Sequence, residues 1–121
     1  MEYYAATKDA QEEINVLLDL PATGEEQDWE YQFADPERID SMLRILADQQ
    51  LSLETKSALC QLMIASFEVA FEEGIEDQAR MDQAASLIRT DPIVLERMRF
   101  YWLGLGKAWH PKLTERLLSV E

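Results

Sequence analysis

Few side chains in this sequence have the type and spacing that chemistry requires. Glu68, Glu72, Glu73, Glu76 and Asp77 crowd together, and Glu68 and Glu72 are four positions apart, a spacing that a carboxylate-bridged metal pair in a helical bundle would use. Such centres also need a Glu-x-x-His motif on each of two helices, and His110 is the sole histidine. The cluster therefore reads as a solvated face near a helix end. It costs some tenths of a kcal/mol per residue, because acids at a helix C-terminus oppose its macrodipole. Cys60 lies in an apolar run without a cationic neighbour, the setting of a core thiol and not of a nucleophile. His110, between Trp109 and Pro111, is placed to cap a helix with its ring. None of Ser41, Ser52, Ser57, Ser66, Ser86 and Ser119 stands in a Gly-x-Ser-x-Gly turn, the elbow of a serine nucleophile. Gly104-Leu105-Gly106 lacks the third glycine and the preceding strand of a dinucleotide fingerprint. With 24 acidic side chains in 121 residues, some carboxylate pair always looks suited to acid–base work, so abundance carries no information. No metal, no cofactor and no enzyme activity are expected.

The elements that must position these residues are helical. Ala6, Ala10, Ile14, Leu17 and Leu18 recur at helical spacing and predict a helix from about Thr7 to Asp19. Leu20 to Ala34 reads as an ordered loop, with Trp29, Tyr31 and Phe33 alternating along it. Asp35-Pro36-Glu37 starts a second helix, since Asp35 accepts an orphan backbone N–H and Pro36 loses no hydrogen bond at the first position. Ser52 caps a third, closed by Gly74. From Ala58 to Phe67 only Gln61 and Ser66 are clearly polar, so this helix must be covered on most sides and sits at the centre. A fourth spans about Glu76 to Arg89. A fifth starts at Thr90-Asp91-Pro92, carries Val94, Met98, Tyr101, Trp102 and Leu105, and stops at Gly104 and Gly106. Leu113, Leu117, Leu118 and Val120 mark a short sixth. The expected fold is all-α, a compact bundle of five or six helices in which residues 1–121 form one domain.

Charge separates the function classes further. Lys and Arg number 11 against 24 Asp and Glu, a net charge of −13, so release of counterions from phosphates does not drive binding and anionic membranes repel the chain. Neither nucleic acid nor a membrane is an expected partner. The single cysteine excludes an internal disulfide. The start Met1-Glu2-Tyr3-Tyr4 lacks the features of a secretory leader, and no apolar run approaches the length of a bilayer span, so the expected location is cytoplasmic. Residues 1–40 carry 12 acidic and 2 basic side chains, whereas residues 87–121 carry 4 and 6. A concentrated acidic field speeds capture of a basic partner, and aromatic rings within it supply anchors. Glu25, Glu26, Asp28, Trp29, Glu30 and Tyr31 combine both and form the expected docking surface for a basic protein. The alternative role for the rings is to pin the loop to the core. Arg97 and Arg99 are expected to neutralise acidic neighbours of their own fold. A second function class is a structural or regulatory subunit that homodimerises through Tyr101, Trp102, Leu105 and Trp109.

The segment Trp29-Glu-Tyr-Gln-Phe-Ala-Asp-Pro-Glu-Arg-Ile39, followed by Leu53-Glu-Thr-Lys-Ser-Ala-Leu-Cys-Gln-Leu-Met-Ile-Ala-Ser-Phe-Glu68, resembles small acidic bacterial proteins of immunity-type or unassigned function over residues 28–73. The resemblance implies an all-helical protein that neutralises a cognate toxin from the same cell by direct binding. It carries over no site residue. A basic toxin such as a nuclease fits the acidity, because a cleft that attracts phosphate also attracts carboxylates.

Overall fold

A computed structural model describes residues 7–20, 29–48, 50–75 and 77–118, with the backbone alone at Tyr31. Its elements are α1 (Lys8–Leu17), α2 (Trp29–Gln32), a 3-10 turn (Pro36–Arg38) running into α3 (Ile39–Asp48), α4 (Leu53–Glu72), α5 (Gln78–Arg89), α6 (Pro92–Met98), a π-helical turn (Arg99–Gly104) and α7 (Pro111–Leu117). Apart from the single-turn α2, these make six helices without strands among the described residues, an all-α bundle.

The helix starts follow from local chemistry. Thr7, Asp35, Ser52, Asp77 and Asp91 each accept a backbone N–H of the turn that follows them, satisfying donors that have no partner within the helix. Asp91 accepts from Ile93 and Val94 and meets Lys56 Nζ at 3.2 Å. Burial pushes this carboxyl up, yet the lysine and the two N–H groups outweigh it and hold Asp91 below the ordinary carboxylate value. Two helices end in Schellman motifs. After α4, Ile75 N–H donates to Ala70 O and Gly74 N–H to Phe71 O, and Gly74 takes φ +79, the left-handed conformation that costs glycine least. After α1, Leu20 N–H donates to Asn15 O and Asp19 occupies the left-handed position at φ 53, so α1 stops two residues earlier than its periodicity predicts.

α4 is central and packs against α1, α2, α3, α6 and α7. Every side chain from Ser57 to Glu68 is buried. One hydrophobic cluster runs from Ala10 to Leu118 and includes Cys60, whose thiol burial pushes up to about 12, far from a reactive thiolate. The fifth predicted helix is two elements. Leu105 N–H bonds to Phe100 O, five residues back, and this widened turn places the neighbours Tyr101 and Trp102 both inside. No described helix is long and apolar enough to cross a membrane.

Candidate functional site

Of the residues expected to form the acidic docking surface, Trp29 and Glu30 are described in full, and both are buried. Trp29 is 0% exposed. Within the segment read as an ordered loop, Trp29–Gln32 form the single turn α2, which lays the indole between α1 and α4, with Trp29 Nε1 donating to Asn15 Oδ1 at 2.8 Å. Glu30 is also buried, and its Oε2 accepts the Tyr101 hydroxyl. Trp29 and Glu30 are therefore interior residues, and their expected role as surface contacts is corrected. The alternative, a ring pinning the segment to the core, holds for Trp29. Glu25, Glu26 and Asp28 lie outside the described residues, as does the Tyr31 side chain.

A buried carboxylate whose donor is removed keeps its full desolvation cost. Tyr101→Phe is thus expected to destabilise the fold by about 1.5–3 kcal/mol, read from the shift of the chemical denaturation midpoint. A change under about 0.5 kcal/mol, the range of an ordinary surface substitution, would show that water already satisfies Glu30.

The face proposed for homodimerisation is also largely internal. Tyr101 and Trp102 are buried in their own chain and stack edge to face at 5.2 Å, while Leu105 and Trp109 remain partly exposed. No four-residue apolar surface results. Arg97 pairs with Glu54 at 2.8 Å, as expected of a charge neutralised within the fold. Arg99 instead donates to the Leu118 carbonyl at the end of α7, capping a helix terminus.

The α4 acids divide in the same way. Glu68, expected on a solvated face, is 0% exposed. Its Oε2 accepts His110 N–H at 2.9 Å and faces Thr114 Oγ1 at 3.4 Å, and the Trp109 N–H also donates to the carboxylate. Oε1 is buried without a partner. Burial pushes the Glu68 carboxyl above its ordinary value, partly offset by those donors. Glu72 is exposed and meets His110 Nε2 at 3.1 Å, while the imidazole tilts against Phe71. The His110 ring therefore does not cap α7, contrary to expectation. The cap is made by Glu68 from another helix. The Glu72–His110 contact ties the C-terminal end of α4 to the residue that precedes α7. Among the described residues no three His, Cys, Asp or Glu side chains converge as a metal site would need.

Two surfaces bear on function among the described residues. On α1, Asp9, Glu12 and Val16 follow one another at helical spacing along one stripe and are all exposed, Val16 at 81%. Neither carboxylate meets a cation among the described residues. Leu17 and Asp19 beside them are exposed as well. The second surface is a groove of about 340 Å³ between the 3-10 turn, α3, α4, α5 and α7, which sequence periodicity did not reveal.

The fold and these surfaces define an all-helical bundle with an acidic first helix and an apolar groove. No protein family, curated protein or solved structure matches this chain.

Proposed function

We propose that this chain is a non-enzymatic acidic binding protein that captures a basic protein partner, in its most concrete form an immunity-type inhibitor that neutralises a cognate basic toxin by direct binding. The observation that carries this reading is the outer stripe of α1, where Asp9 and Glu12 lead to a largely exposed Val16. Carboxylates that are not held in salt bridges steer a cationic surface into encounter, and an apolar side chain among them gives that surface something to desolvate. The stripe leads in sequence to Asp19 and on to Glu25, Glu26 and Asp28. It thus keeps the acidic front of the sequence as the docking region while releasing Trp29 and Glu30 from it.

The test uses the product of the neighbouring gene, expressed with and without this chain. Inhibition by stoichiometric complex formation is the expected result. Asp9→Asn, Glu12→Gln, Glu25→Gln, Glu26→Gln and Asp28→Asn together are expected to slow association about tenfold at low salt and to flatten its salt dependence. An association rate that these substitutions leave unchanged at low salt removes the proposal.

A further inference from the structure

The groove has a floor of one kind and a wall of another. Ile39, Phe67, Ala70, Met81 and Leu113 form the apolar floor, and Phe71 and Ile75 border it while remaining 39% and 47% exposed. The Schellman turn after α4 brings Ile75 to this position, because it folds the chain back at Gly74. The volume falls within the range of pockets that enclose small molecules, roughly 300–1,000 Å³, where apolar walls hold the body of a ligand and a few polar groups orient it.

The charged groups on the lining are not equivalent. Arg80 is occupied, bonding Asp40 at 2.8 Å and Asp77 at 3.3 Å. Lys112 and Arg116, four residues apart on α7, also line the groove, and neither meets an acidic side chain among the described residues. The lining carries three cations, Arg80, Lys112 and Arg116, against the two acids Glu37 and Asp77, a slight positive balance in a chain of net charge −13. Glu37 reaches the lining as well, and its repulsion places an anionic head on the α7 side.

We infer that this groove binds a small amphipathic anion, an acyl-chain carboxylate whose tail lies along Phe67, Phe71, Ile75 and Met81 and whose head meets Lys112 and Arg116. The site is independent of the α1 stripe, so it stands or falls apart from the proposed toxin binding.

The probe is dodecanoate below its micellar concentration, titrated into the full chain and followed by nuclear magnetic resonance of the methyl and aromatic groups. The expected result is saturable one-to-one binding with shifts centred on Phe71, Ile75 and Met81. Dodecyl maltoside, with the same tail and a neutral head, is expected to bind more weakly, and dodecyltrimethylammonium more weakly still. Lys112→Gln and Arg116→Gln, both at exposed positions, are each expected to weaken dodecanoate about fivefold, the scale of one partly solvated ion pair, without loss of helicity. The inference is overturned if the three head groups bind alike, if the double variant binds dodecanoate as tightly as the parent, if the shifts fall outside the groove, or if no saturable binding occurs.

Discussion

Trp29→Ala is expected to lower the stability of the fold by about 3–5 kcal/mol, the range found when a buried large aromatic side chain is cut back to a methyl group. The indole is fully buried and its Nε1 donates to Asn15 Oδ1 at 2.8 Å, so truncation both opens a cavity and removes the donor to Asn15. The effect is large because α2 is only four residues long. A single helical turn has almost no stability of its own, since nucleation fixes several dihedrals for one hydrogen bond, and α2 is held by what its side chains bury against α1 and α4. Against a total of about 5–15 kcal/mol for a typical domain, the loss brings the native state close to its threshold. Urea denaturation followed by circular dichroism measures it as a fall in midpoint at unchanged slope. Trp29→Phe retains most of the buried area and loses the hydrogen bond, so it is expected to fall between the parent and the alanine variant. An alanine variant within about 0.5 kcal/mol of the parent, as at a surface position, would mean that the ring is not packed in solution.

What the sequence reveals and what it hides differ in a physical way. The starts at Asp35, Ser52 and Asp91 and the stop at Gly74 are legible because a cap is made within three or four residues. The central place of α4 is legible because a helix apolar on most sides must be covered on most sides. Trp29, Tyr31 and Phe33 were misleading, because five positions are too few to separate a period of two from one of 3.6. Trp29 and Glu30 are adjacent and both buried, which requires cover from two directions and a partner for the carboxylate. That partner, Tyr101, lies 71 residues away. Glu68 is hidden for a related reason. Its donors include the backbone N–H groups of Trp109 and His110, and side-chain identities keep no record of where backbone donors will be. A weak signal existed in its setting between Phe67 and Val69, continuing the stretch of α4 that must be covered. The π-helical turn hides from periodicity altogether, although two large aromatics side by side at Tyr101 and Trp102 are its trace.

Glu68 gives the second large effect, and its sign depends on what replaces the carboxylate. Glu68→Ala leaves the N–H groups of Trp109 and His110 without their buried acceptor at the start of α7 and releases Thr114. At about 1–3 kcal/mol for each group so stranded, reduced by removal of a costly charge, a loss of about 2–4 kcal/mol is expected. Glu68→Gln behaves oppositely. The amide oxygen continues to accept from α7, while its NH2 takes the place of an Oε1 that has no partner now. Burial, the largest influence on this group, raises the folded-state pKa of Glu68 above its unfolded value. Between those two values the native state binds more protons than the unfolded chain, so the contribution of Glu68 to stability is fully present below the unfolded pKa and is lost as pH rises through the folded one. Glutamine carries no such loss. The two proteins are thus expected to have similar stability at acid pH and to diverge in favour of Glu68→Gln towards neutrality, in denaturation series run from about pH 4 to pH 8. Parallel stability curves across that range would show that the carboxylate is as well solvated in the fold as in the unfolded chain, and a Glu68→Ala variant as stable as the parent would show that α7 starts without it.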